Sequence, residues 1–257
     1  MMGLWDVKGV GLKDFRRPPR DLVQAASQGD IEVVARLLGT GVPPDVHDDE
    51  GWPALARAAQ LGRPGVVSLL LQAGAEPEMG GDAGVPPIAA AAANGQDSCV
   101  RLLWESGAHV DSPGPGGVAP LMMAAARGFE DTVRLLVELG AEVEARNIDG
   151  QTALMYAAAS LCPRTCAALL ELGADPDAQD DRGDSALHYV LKQRYLPNAY
   201  RFGGTASQLL KMLLDSGADA RKPDAEGAAP IQLALRARRL DLVACLNPDS
   251  QQPPLAA

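Results

Sequence analysis

Small apolar, branched apolar and polar positions follow one another along this chain in a fixed order. Ala-rich stretches precede Leu-rich ones, and short polar stretches rich in Asp, Pro and Gly separate each pair from the next. In the unit from Asp149 to Ala178, Gly150–Ala159 starts at a turn residue and predicts a small-residue helix. Pro163–Leu172 predicts a second helix carrying Leu169 and Leu170, ended by Gly173-Ala174-Asp175. Glycine just past the last apolar turn suits a left-handed C′ position, where a Cβ would clash. Pro163 suits the start of a helix, where an N–H lacks a partner in any case. Paired alanines let the first helix pack closely, and the leucines fill the space between units. The polar stretch between units reads as a turn or hairpin.

This order keeps a beat. Gly29, Gly62, Gly95 and Gly128 recur every 33 residues behind the Ala-rich segments, and Gly41, Gly74, Gly107, Gly140 and Gly173 recur behind the Leu-rich ones. Gly217 follows after 44, the period plus an insertion of 11. Such regularity is what a solenoid requires, because every repeat presents the same face to its neighbour. The expected fold is therefore all-α, with binding through an extended surface as the expected class of function.

The segments Gly51–Gly62, Gly84–Gly95, Gly117–Gly128, Gly150–Leu161 and Gly183–Arg194 resemble the opening of an ankyrin repeat: glycine, any residue, Thr-Pro-Leu-His, any residue, Ala-Ala, two variable residues, glycine. Leu70–Ala75, Leu135–Ala141 and Leu213–Asp219 resemble its closure. The resemblance spans about Asp21 to Pro248 and implies an ankyrin-repeat solenoid of six to seven helix-turn-helix units joined by short β-hairpin loops. No repeat keeps Thr-Pro-Leu-His whole. Thr152, Ser185 and His188 survive of the Thr and His that hydrogen-bond within and between repeats in the family. Leu161 and Arg194 replace the glycine after the first helix, which puts the tightness of those two turns in question. Residues 21–47 look like an N-terminal cap. Residues 227–247, with Arg236, Arg238 and Arg239, look like a solvated C-terminal one. The expected organisation is a tail at 1–20, a repeat domain at 21–247 with an insertion near 192–204, and a tail at 248–257.

Charge sharpens this picture. The net charge of −10 disfavours nucleic acid and anionic membranes. The hairpin segments hold 19 of the 33 acidic residues but only 4 of the 23 Lys and Arg, so one edge is strongly acidic while the rest is net basic. Twelve of the nineteen, including Asp45, Glu78, Asp111, Glu144 and Asp177, fall at turn positions where Asp or Asn bonds the local backbone. Asp49, Glu50, Asp82, Asp149, Asp181, Asp184 and Glu226 fall at variable tip positions that turn chemistry leaves unexplained. These serve either partner contact or solubility.

No apolar run of 18 residues offers a membrane span, and Met1–Arg20 is charged throughout, unlike a signal peptide. Met-Gly-Leu-Trp-Asp-Val lacks the Ser or Thr favoured for myristoylation. Cys99, Cys166 and Cys245 sit where sister repeats are apolar and read as buried, inert thiols. Cys162 and Cys166 could share a helix face, but no second pair lies nearby in sequence to complete a zinc site. A reducing cytoplasm is the expected compartment. Walker loops, nucleophile elbows, CxxC and zinc-protease motifs are absent from the sequence, and exposed tip carboxylates make poor acid–base catalysts. No cofactor, metal or catalytic residue is expected.

Two regions stand out as contact candidates. The insertion around Lys192–Gly204 gathers Tyr195, Tyr200 and Phe202 with Arg residues, as either an extended helix packing on its neighbour or a binding loop rich in hot-spot residues. In the family the concave surface is lined by hairpin tips and first-helix ends, here including Trp52, Gln60, Leu61, Asn94, Val118, Arg127, Gln151, Ser160 and Gln193. Trp52 reads as an exposed anchor, or folds back beside Trp5 or Phe15. The resemblance thus implies a non-enzymatic module that binds a partner protein through its concave face, and the charge distribution adds a basic segment laid across the acidic edge. An inhibitory or immunity-type plug of a partner enzyme and a scaffolded enzyme are the alternatives.

Overall fold

A computed structural model describes residues 18–192 and 206–246. Those residues form fourteen α-helices: α1 (Pro18–Gln28), α2 (Ile31–Gly39), α3 (Ala54–Gln60), α4 (Pro64–Gln72), α5 (Pro87–Ala92), α6 (Asp97–Glu105), α7 (Pro120–Arg127), α8 (Glu130–Glu138), α9 (Ala153–Ala159), α10 (Pro163–Glu171), α11 (Ala186–Lys192), α12 (Ala206–Asp215), α13 (Pro230–Arg236) and α14 (Leu240–Leu246). The hairpins between pairs are almost all turn. Their one β-bridge among the described residues joins His47 to Pro53.

The chain divides into two compact units, Met1–Ala91 with Ser98–His109, and Ala92–Asp97 with Val110–Ala257. Within the first, α1 packs on α3 and α2 on α4. Within the second, the first helices stack as α7, α9, α11 and α13, and the second helices as α8, α10, α12 and α14. The core of each unit is what the two-helix pattern demands. Ala58, Ala59, Ala124, Ala125, Ala157 and Ala158 are completely buried where first helices approach closely, and Leu70, Leu136, Leu169 and Leu213 are completely buried on the second helices.

Both classes of glycine terminate helices by one geometry. In α8 the Gly140 N–H reaches Val137 O at 3.0 Å and the Ala141 N–H reaches Leu136 O at 2.9 Å, with Gly140 at φ +101°. This paired closure satisfies two otherwise orphan carbonyls and needs a left-handed residue. After the first helices the same closure recurs, and here Leu161 holds φ +51° and Arg238 φ +55°. The Leu161 turn is therefore as tight as its sisters, with bonds to Ala158 O at 3.1 Å and, from Cys162 N, to Ala157 O at 3.0 Å. Its cost is the left-handed strain of a side chain, about 1–2 kcal/mol. Arg194 lies outside the described residues.

Candidate functional site

Three hydrogen-bond ladders build the hairpin edge. In the first, an acidic side chain of one repeat accepts from a backbone N–H of the next: Asp45 from Glu76 (3.0 Å), Glu78 from His109 (2.6 Å), Asp111 from Glu142 (3.1 Å), Glu144 from Asp175 (3.0 Å) and Asp177 from Asp219 (2.8 Å). These carboxylates were expected to bond their own turns. They instead staple each repeat to its successor, through charge-assisted bonds to N–H groups the helix closure leaves over. Burial and the charge of Glu142 push the Asp111 carboxyl above its usual range despite the Glu142 N–H.

The second ladder shapes each tip. Asp48, Asn147, Asp180 and Asp224 each accept two N–H bonds from residues two and four positions on, at 2.8–3.0 Å. The third joins successive tips by backbone: Asp82 N–H to Gly51 O (3.0 Å), Ile148 to Gly116 (3.1 Å), Asp181 to Asp149 (3.0 Å) and Ala225 to Arg182 (2.8 Å). A Cβ at Gly51 would come within 2.4 Å of Asp82, one at Gly150 within 2.6 Å of Asp181, and one at Gly183 within 2.7 Å of Ala225 N. Tip glycines are thus demanded by the neighbouring repeat as well as by their own turn.

Behind the tips lie two polar clusters. In the first unit Arg57 stacks over the Trp52 ring, 4.7 Å from its centre, while reaching Asp48 at 3.3 Å and Glu50. Burial would raise the Asp48 pKa, but the Trp52 and Glu50 N–H groups and Arg57 together hold it below the usual carboxylate range. In the second unit the Tyr189 hydroxyl donates to Asp180 at 2.8 Å and accepts from Gln151 and Arg182. Next to it Lys192 bridges Asp184 (2.6 Å) and Asp224 (3.1 Å), whose side chains are 4% and 2% exposed.

Asp184, His188 and Asp224 bring three possible metal-ligand atoms within 4.8 Å of one another. The residues do not fit a metal ion, because the cluster carries its own cation. The Lys192 ammonium lies between the two carboxylates, and both His188 nitrogens are engaged. Nδ1 accepts from the Ser185 N–H at 3.1 Å and from its hydroxyl at 2.9 Å, and Nε2 donates to Ala228 O in the next repeat at 3.1 Å.

A model of ankyrin repeats in three copies matches residues 22–114, 90–180 and 121–199, well over half of the chain. The chain belongs to the ankyrin-repeat family. Among solved structures it is similar to the ankyrin repeat domain of Bcl-3, described as a unique member of the IkappaB protein family, with TM-score 0.72 and 28% identity over 88% of this chain and 97% of that one. It shares its fold with the human ASB11 ankyrin repeat domain at TM-score 0.76 and 24% identity, over 91% of this chain and 98% of that one. No curated protein matches in sequence. Ankyrin repeats are in general protein–protein interaction modules, and the Ser185–His188–Ala228 chain of bonds is the within- and between-repeat link the family pattern implies. Thr152 does not make it: its hydroxyl is buried without a hydrogen-bond partner.

On this ankyrin frame the expected contact residues fall into distinct environments. Asp49, Glu50, Asp82, Asp149 and Asp181 are exposed at tips, and Leu61 is 45% exposed at the end of α3. Arg127 is exposed and donates to Asn94 at 3.3 Å. Trp52 is half-buried with one face covered by Arg57, so it is less open than an exposed anchor. Gln151 is half-buried within the Tyr189 network. Asp184 is corrected outright: it is 3% exposed and faces Lys192, because its own turn and the next repeat enclose it. Tyr195, Tyr200 and Phe202 lie outside the described residues. Sequence reasoning missed Ile148, 74% exposed beside Asp149, and the ion bridge at Lys192. A lone Lys at the end of a first helix, 8 residues from Asp184 and 32 from Asp224, carries no local signal of that bridge.

Proposed function

We propose that this chain is a non-enzymatic interaction module that binds a protein bearing a basic segment along its acidic hairpin edge. One observation carries the reading. Once the inter-repeat staples, the turn-forming Asp residues and Asp184 are assigned structural work, Asp82, Asp149, Asp181 and Glu226 still stand exposed at tips, as do Asp49 and Glu50. Glu50 is paired with Arg57 from the following helix. Of the four Lys and Arg in the hairpin segments, Arg146 and Lys222 donate to backbone carbonyls and Arg182 turns toward Asp180 and Tyr189. Such an edge raises association rates with a basic partner more than it deepens affinity.

The cytoplasm is the compartment that fits this reading. Burial pushes the thiols of Cys99 and Cys162 up to about 11 and that of Cys166 higher still, so these cysteines are inert structural residues. No helix among the described residues is long and apolar enough to cross a membrane.

Affinity capture with mass spectrometry identifies the partner, and stopped-flow association against salt then tests the site. Association slows as salt rises, because screening shortens to about 8 Å at physiological ionic strength. Asp49→Lys, Glu50→Lys, Asp149→Lys and Asp181→Lys together slow it by about tenfold or more with helix content unchanged. An unaltered association rate in that variant removes the acidic edge as the site.

A further inference from the structure

Within the second unit the hairpin edge begins with an apolar surface. The hairpin at 108–119 holds a single acid, Asp111, and that one is engaged in the staple to Glu142. Its tip is Pro115-Gly116-Gly117, whereas the later tips of the unit read Ile148-Asp149-Gly150, Asp181-Arg182-Gly183 and Ala225-Glu226-Gly227. Ile148 holds the register position of Asp49, Asp82 and Asp181. The position is the same in space, over the last glycine of the preceding tip. A Cβ at Gly51 would come within 2.4 Å of Asp82 and one at Gly150 within 2.6 Å of Asp181, while one at Gly117 would lie 3.3 Å from Ile148 Cγ2. Ile148 is 74% exposed, and its N–H is bonded to Gly116 O at 3.1 Å, so the tip-to-tip ladder holds it there. Its Cδ1 and Val118 Cγ2 would lie 4.0 and 3.9 Å from a Cβ at Gly116, with exposed Pro115 next in the chain. A lone exposed isoleucine is ordinary. One that replaces an aspartate and lies over an uncharged tip beside Val118 makes a patch.

Charge states what this patch can meet. The hairpins 108–119, 141–152 and 174–186 hold nine acids against two bases, Arg146 and Arg182. Arg146 is turned to the Gly150 and Gln179 carbonyls, and Arg182 to Asp180 and the Tyr189 hydroxyl. Exposed Asp149 adjoins Ile148 in its own tip, and exposed Asp181 follows in the next, tied to Asp149 O by its N–H at 3.0 Å. A lysine laid over Ile148 and the 115–117 tip would find no carboxylate on that tip, whereas an apolar side chain there would leave water. We propose that the acidic edge selects a basic segment that also carries an apolar side chain, seated on Ile148, Val118 and Gly116, with its bases over Asp149 and Asp181. This rests on the edge being the contact surface, and adds what makes its recognition selective. Packed helices lie about 8–10 Å apart, roughly three residues of extended chain. The base that meets Asp181 therefore stands about three positions from the apolar residue.

The test uses the full chain and two synthetic peptides of equal charge, with lysines about three positions to either side of a central leucine or a central serine. Fluorescence anisotropy is expected to show the leucine peptide binding about tenfold tighter than the serine peptide, and salt weakening both. Ile148→Asp copies the tips at Asp82 and Asp181, so it removes this preference while binding the serine peptide at least as tightly as the unaltered chain. Circular dichroism verifies that helix content is kept. Salt-sensitive binding that is equal for the two peptides, or a preference that survives Ile148→Asp, overturns the apolar seat and leaves the acidic edge standing. Failure to bind either peptide, or binding indifferent to salt, removes the edge and the seat with it. Concentration-dependent dimerisation that Ile148→Asp abolishes also overturns the proposal, because the patch then belongs to a second copy.

Discussion

The clusters around Asp48 and Asp224 begin from the same turn and end in different roles. Each aspartate takes two backbone N–H groups of its own hairpin and one basic side chain. In the first unit the base is Arg57, from the helix directly after the hairpin, and the Asp48 side chain is 18% exposed. The cluster is local, fixing the Trp52 ring against its own repeat. In the second unit Lys192 reaches forward to Asp224 in the following repeat while also holding Asp184. The two partners lie on either side of the insertion near 192–204, where the regular period is interrupted. An ion pair thus matters through what it joins and how deeply, more than through its length.

The sharpest way to break the comparison is Lys192→Met, which leaves two buried carboxylates facing each other. Breaking a buried pair costs about 3–5 kcal/mol, and the low end applies because Lys192 is 41% exposed. Hydrogen exchange should accelerate in α11–α14 first, since coupling in repeat proteins is nearest-neighbour. Leu136→Ala supplies the apolar yardstick. Leu136 is completely buried, so truncation should cost on the order of 2–5 kcal/mol, measured by urea unfolding, with exchange rising first around α8 and α10. Uniform acceleration along the chain would contradict repeat-wise coupling.

The two clusters should also differ in pH response. Asp48 and Asp224 are both held below the ordinary range, so each contributes stability that is present above about pH 3.9 and lost as pH falls through its folded value. For Asp224 burial opposes the shift, and the Ala228 N–H and Lys192 overcome it. Burial would lower Lys192, but Asp184 and Asp224 raise it above its usual value. Its contribution is present below about pH 10.4 and lost as pH rises through the folded value. The second cluster therefore has an alkaline limb that an arginine partner cannot supply. Exchange in α11–α14 that stays flat from neutral pH to beyond that limb, after correction for intrinsic rates, would argue against it.

Smaller effects sharpen the contrast. Arg57→Met should cost less than Lys192→Met, on the order of 1 kcal/mol, because Glu50 is 74% exposed and Asp48 keeps its two backbone N–H bonds. A loss as large as that of Lys192→Met would erase the distinction between local and bridging clusters. Arg238→Gly removes left-handed strain at an exposed position and should raise stability by less than about 1 kcal/mol, after the entropy a glycine adds to the unfolded chain. Thermal denaturation showing a loss would mean that Arg238 makes a contact of its own.

The 33-residue beat by itself determined the repeat unit, the helix pairing and the buried Ala and Leu positions, because each repeat solves one packing problem with the same residues. It also located the hairpin acids, since turn chemistry has a local signature. What those acids do was decided by tertiary structure alone. Asp45, Glu78, Asp111, Glu144 and Asp177 bond N–H groups 31 or 42 residues away, and only stacking brings those groups within reach. Asp184 read as an exposed tip for the same reason: a sequence shows which residues are neighbours along the chain, but the next repeat decides which of them lose their water. Arg238 shows the limit from the other side. Its left-handed backbone is imposed by the helix closure it completes, and no glycine marks it.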